Sequence, residues 1–100
     1  MIMDEFDPLA PVPRYRQIAG IIRARIERGD IEPNRPIPSE VQIEQEFGVA
    51  RATARKSVAL LRDWALVVTV PGLGTYVVPE DQRLPAVPRQ VSPSPPERST

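Results

Sequence analysis

Residues 38–61 read PSEVQIEQEFGVARATARKSVALL. Ser39, with Gln42 three residues on, has the form of a capping box, the local signal that opens a helix. Val41, Ile43 and Phe47 supply apolar surface to that helix, with Ile43 and Phe47 spaced i, i+4 toward a core. Gly48 then permits the left-handed backbone that a sharp turn needs. In the helix that follows, Ala54, Val58 and Leu61 form the inward face and leave Arg51, Arg55 and Arg62 outside. Two short helices around a Gly-centred turn make a helix-turn-helix, whose second helix lies in the major groove of DNA. The first turn of that second helix carries Arg51, Thr53 and Arg55. An arginine can bond two acceptors on one guanine edge, and a threonine can offer its methyl to thymine or its hydroxyl to a phosphate. The same string also describes a plain helical hairpin, so this segment by itself leaves both readings open.

The residues downstream narrow the choice. Residues 66–70 and 75–78 are apolar, mostly β-branched runs on either side of Pro71-Gly72-Leu73-Gly74, which predicts a β-hairpin. A helix-turn-helix followed by a hairpin is a winged helix. Upstream, Tyr15, Ile18, Ala19, Ile22 and Ile26 form one stripe on a 3.6-residue period, with Pro13 at or near its first position and Gly29 at its end. A Pro-rich connection over residues 30–36 leads to the capping box. The expected fold class is α+β, three helices plus a C-terminal hairpin wing in one domain over residues 13–79. An acidic flexible segment (1–12) is expected before it and a disordered Pro-rich tail (80–100) after it, because the tail's prolines stand among polar residues that cannot offset ordering entropy. Trp64, at the exit of the third helix, is read as a core anchor.

The order and spacing of these pieces resemble the N-terminal domain of GntR-type bacterial transcription regulators. The matching residues are Arg14-Tyr15-Arg16-Gln17-Ile18-Ala19, Ile37-Pro38-Ser39-Glu40, Phe47-Gly48-Val49, Arg51-Ala52-Thr53-Ala54-Arg55 and Gly72-Leu73-Gly74-Thr75-Tyr76-Val77. The resemblance implies a winged helix whose recognition-helix arginines contact bases and phosphates and whose wing-tip glycine enters the minor groove. The candidate DNA-contacting residues are then Ser39, Arg51, Ala52, Thr53, Arg55 and Lys56, with Gly72, Leu73, Gly74 and Thr75 on the wing.

Several positions depart from the family pattern. Val41 replaces an arginine and removes a contact to phosphate or base. Ala50 replaces the usual Ser or Thr cap, a loss of about 1 kcal/mol unless another group caps the helix. Ala52 stands where a hydroxyl residue is common, so its contact would be apolar, as with a thymine methyl. Glu44 occupies a position that is usually small and apolar; it must point outward or pair with a base such as Arg55 or Lys56. Thr69-Val70-Pro71 and Leu73 make the wing apolar where polar and basic residues are common, which weakens minor-groove anchoring. GntR regulators carry a C-terminal effector and dimerisation domain after the wing, and none is expected in this chain, which is read as a free-standing DNA-binding domain without a small-molecule effector site.

Composition bounds the alternatives. The 100 residues contain no cysteine and no histidine, which excludes a disulfide framework, a Cys/His metal site and His- or Cys-based catalysis. No enzyme activity, cofactor or metal is expected. No apolar run approaches the roughly 20 residues that span a bilayer, and the acidic start is unlike a signal peptide, so a cytoplasmic location is expected. The formal net charge of zero divides unevenly: residues 1–13 carry three acids, residues 14–79 carry ten bases against seven acids, and the remainder balances. A core at +3 is a mild electrostatic footprint for nucleic acid. Two functions remain open. One is a transcription regulator, most often a repressor by the resemblance, acting as a homodimer on paired sites in double-stranded DNA. The other is a winged-helix protein-interaction module, favoured by Val41, Leu73 and the neutral total.

Overall fold

The computed structural model describes residues 6–83. Its elements run α1 (Arg14–Glu27), α2 (Glu40–Phe47), α3 (Arg51–Asp63), β1 (Val67–Val70), β2 (Gly74–Val77) and a 3-10 turn at Glu80–Gln82. Three helices followed by an antiparallel hairpin match the expected winged helix. Residues 1–5 and 84–100, most of the expected tail, lie outside the described residues.

Ile18, Ala19, Ile22 and Ile26 of α1 are buried as their spacing predicts, and Ile21 is buried beside them, which widens the apolar face. Ile18, Ala19, Ile22 and Ile26 meet Ile43 of α2, Ala54, Val58 and Leu61 of α3, and Leu66, Val67 and Val77 at the base of the wing in one cluster. Phe47 and Trp64 pack on that cluster only partly buried, Trp64 with the Arg23 guanidinium 5.2 Å from its ring centre. Ser57 is the one buried polar side chain among the described residues, and its hydroxyl donates to the Ala54 carbonyl at 2.7 Å. A bonded hydroxyl costs little there; an unbonded one would not.

Two helices end in the same way with different residues. At α1, Gly29 takes φ 87° while its N–H donates to the Ile26 carbonyl and the Asp30 N–H donates to the Arg25 carbonyl. At α3, Ala65 takes φ 62° while its N–H donates to the Arg62 carbonyl and the Leu66 N–H donates to the Leu61 carbonyl. Both are Schellman motifs, whose left-handed position favours glycine because a Cβ is strained there.

The hairpin pairs Val67 with Val77, Val68 with Tyr76, Thr69 with Thr75 and Val70 with Gly74. Pro71 and Gly72 (φ 82°) occupy the centre of its tip, and the Leu73 N–H donates to the Val70 carbonyl at 3.0 Å, as a type II turn requires. The connection before α2 is more ordered than its prolines suggest. Asn34 and Ile37 donate to the carbonyls of Val77 and Thr75, Val77 donates back to Arg35, and Pro36 bridges Tyr76. This edge segment braces β2 on its second side and buries Ile37.

The acidic N-terminal stretch, expected to be flexible, is bound over residues 6–12. Asp7 N–H donates to Gln17 Oε1 at 2.8 Å, and Gln17 Nε2 donates to the carbonyls of Asp7 and Val12. Phe6 meets Phe47 edge to face with ring centres 5.4 Å apart. A glutamine on α1 and an aromatic outside the domain boundary supply the anchors, neither of which a charge pattern reveals.

Replacing Ala65 by Gly removes the strained Cβ while keeping both capping hydrogen bonds. The variant is expected to be more stable by roughly 0.5–1 kcal/mol. Chemical denaturation measures it, and a loss of stability would show that the strain at Ala65 is smaller than the entropy that glycine adds to the unfolded chain.

Candidate nucleic-acid interface

The helix-turn-helix is built from its ends inward. At the start of α2 the capping box is complete: Gln42 N–H donates to Ser39 Oγ at 3.1 Å and Ser39 N–H donates to Gln42 Oε1 at 2.8 Å. Gly48 closes the helix at φ 65° and ψ 40°. Ala50 is the N-cap of α3 in extended geometry, and no side chain caps it among the described residues. Its carbonyl accepts from Thr53 and Ala54, which leaves the Arg51 and Ala52 N–H groups at the helix mouth for solvent or an anion.

Arg51, Ala52, Arg55 and Lys56 are exposed on α3, and Thr53 is half-buried. These positions do not share one direction. Arg51, Arg55 and Arg62 follow one flank at i, i+4 and i+11, whereas the Lys56 ammonium turns to the opposite side and sits 5.9 Å from the Tyr15 ring centre. Glu44 pairs with Arg51, across the turn, and not with Arg55 or Lys56. Arg55 makes no ion pair among the described residues, so its full charge is available to a ligand.

Ser39, Leu73, Gly74 and Thr75 come together in a cleft of about 410 Å³ between the start of α2 and the wing. Arg62 and Thr69, neither of them among the candidate residues drawn from the sequence, also line the cleft. Arg62 Nη1 donates to Thr69 Oγ1 at 3.0 Å, and Thr69 Oγ1 lies 3.2 Å from Thr75 Oγ1. This chain of contacts ties α3 to both wing strands. Its signals were faint: the i+7 spacing of Arg62 from Arg55, and a cross-strand Thr pair visible only once the hairpin register is known. The first-turn arginines lie outside this cleft, so the candidate residues form two patches, with Lys56 apart from both.

The wing tip carries Gly72 and Leu73, and Leu73 is 71% exposed. On the outer wing face Val68, Val70, Leu73, Tyr76, Val78 and Pro79 line an open apolar hollow of about 520 Å³. Val41, in place of the family's arginine, is also exposed.

The family model for the bacterial regulatory proteins of the gntR family matches residues 14–77. The chain belongs to the GntR family. Over 68 residues, 68% of its length, it is 41% identical to the mannosyl-D-glycerate transport/metabolism system repressor MngR of Escherichia coli K12 and 34% identical to the transcriptional repressor NagR of Bacillus subtilis 168. These matches span 28% of the length of either repressor. Among solved structures, the DNA-binding domain of AraR in complex with operator ORX1 superposes with a TM-score of 0.66 at 38% identity, covering 72% of this chain and 89% of that one. Among the described residues of this GntR chain, no helix is long and apolar enough to cross a membrane.

The extended geometry at Ala50 already suits a capping side chain. Ala50→Ser is expected to add about 1 kcal/mol, a rise in melting temperature of roughly 4–8 °C for a domain of this size. Calorimetry checks it; an unchanged melting temperature would mean that the first turn of α3 gains nothing from a cap.

Proposed function

We propose that this chain is a sequence-specific double-stranded DNA-binding regulator, a transcriptional repressor acting in the cytoplasm, with α3 in the major groove and the wing at the minor groove. The observation that carries the reading is the exposed first turn of α3, where Arg51, Ala52 and Arg55 stand on the helix whose later residue Arg62 lines the cleft with Ser39, Gly74 and Thr75. A helix with this apolar inner face and arginine-bearing outer flank fits a groove about 12 Å wide. The similarity to repressors and to a domain crystallised on its operator supports the same function. In this reading Arg51 addresses a guanine edge, Thr53, Arg55 and Ser39 address phosphates, Ala52 meets a thymine methyl, and Gly72, Leu73, Gly74 and Thr75 approach the minor groove, while Lys56, turned toward Tyr15, stays outside the contact.

The test is binding to selected and random duplex over a range of salt. Arg51→Ala is expected to cost roughly 1–3 kcal/mol on the selected site and to relax discrimination at one base pair, whereas Arg55→Ala lowers affinity for both duplexes and flattens the salt slope by about one. A folded Arg51→Ala protein with unchanged affinity and preference would remove α3 from the groove. The apolar hollow on the outer wing face favours a second reading, a protein-docking module, for which binding to duplex would show no steep dependence on salt.

A single winged helix reads few base pairs through a small interface, so tight binding requires two copies on paired half-sites. We expect DNA-free protein to be mostly monomeric at micromolar concentration and to bind two half-sites more tightly than one, with a gain that follows helical phase. Sedimentation as a tight dimer without DNA, or equal affinity for single and paired sites at every spacing, would contradict this.

A further inference from the structure

Glu44 stands near the C-terminal end of α2, where the helix dipole disfavours an acid. Its carboxylate binds Arg51 across the turn, in contact with Nε. The Glu44 side chain is 25% exposed and that of Arg51 49%, so the pair is shielded at the carboxylate and open at the guanidinium. No other partner of Arg51 occurs among the described residues, which leaves both Nη groups free. Those two groups form the end of the guanidinium, an edge with parallel donors that matches the O6 and N7 acceptors of guanine.

We propose that Glu44 is a positioning residue for base readout: it holds the Arg51 guanidinium by Nε, so that the Nη edge is presented to guanine in a fixed orientation. The proposal rests on the DNA-binding function above. A free arginine samples many rotamers and can bond any nearby phosphate, whereas one held by a carboxylate has lost much of that freedom before binding. The carboxylate also repels the phosphate backbone, which penalises binding that does not satisfy Arg51. Glu44 therefore exchanges overall affinity for discrimination. A carboxylate that only sequestered Arg51 would lower affinity for every sequence equally, and one that only joined α2 to α3 would change stability alone.

In-vitro selection from a random duplex library, followed by affinity measurements on the selected site and its single-base variants, separates these roles. The proteins are wild type, Glu44→Ala, Glu44→Gln, Arg51→Ala and the Glu44→Ala/Arg51→Ala double variant, each checked for native circular dichroism. Both Glu44 variants are expected to lose discrimination by roughly 5-fold or more at the base pair that Arg51→Ala also relaxes. Preference at other positions should hold, and affinity for random duplex should stay level or rise. In the Arg51→Ala background, Glu44→Ala should change discrimination no further. Discrimination within about 2-fold of wild type in both Glu44 variants would overturn the proposal, as would an equal loss with Arg51 already removed. Wild type selecting a site while Glu44 variants match it leaves DNA binding intact and defeats only the positioning role. Wild type enriching no sequence defeats the functional reading, and this inference with it.

Discussion

Gly48, at φ 65° and ψ 40°, reverses the hand of the backbone between α2 and α3, and the short connection through Val49 and Ala50 depends on that one conformation. A Cβ built there meets nothing within 4 Å, so the demand for glycine is conformational and not steric. Its N–H and that of Val49 both donate to the Glu44 carbonyl, which fastens the turn to the end of α2. Downstream, Ala50 is extended and α3 starts at once. The consequence reaches both sides of the domain: Ile43 and Ala54 meet in the core, while Glu44 and Arg51 meet on the surface. A different turn would separate both pairs together.

Short α2 contributes only one fully buried residue, Ile43, so it cannot be held by burial alone. Its two ends and two flanks supply the rest. The capping box secures the start, Gly48 the end, Arg25 of α1 pairs with Glu46, and Arg51 of α3 pairs with Glu44. Exposed ion pairs individually stabilise by about 1 kcal/mol or less, yet here they orient a helix of eight residues against its longer neighbours. The Phe6 and Arg25 contacts with Phe47 add an apolar edge to the same helix.

Features that depend on local pattern were legible in the residues. The apolar stripe of α1, the Ser39 and Gln42 box, the Gly48 turn and the hairpin around Gly72 each follow from spacing within one element. Features created by distant pairing were not. Nothing local shows that Arg35 and Ile37 will pair with β2, because the prolines around them signal only a connection. Ala65 hid a left-handed cap, since alanine is an ordinary helix residue and only the two hydrogen bonds reveal the motif. The Gln17 clamp on residues 7 and 12, and the choice of Arg51 over Arg55 by Glu44, likewise depend on three-dimensional position. The candidate interface was legible as a helix and a wing, but the link between them through Arg62, Thr69 and Thr75 required the register.

Charge bookkeeping gives the interface its character. Arg23, Arg25 and Arg51 are each paired with a carboxylate, and Arg28 bonds Asp30, so much of the core's positive charge is committed internally. Affinity from counterion release scales with the number of phosphates neutralised. With Val41 and an apolar wing in place of basic groups, that contribution is small. On the proposed function, selectivity then comes from a few donors held in fixed geometry, because a weak field neither draws the protein to every duplex nor masks a missing base contact. In such a domain a change that adds a free positive charge strengthens binding to all DNA faster than to one site. A change that loosens a held donor narrows the same gap from the other side.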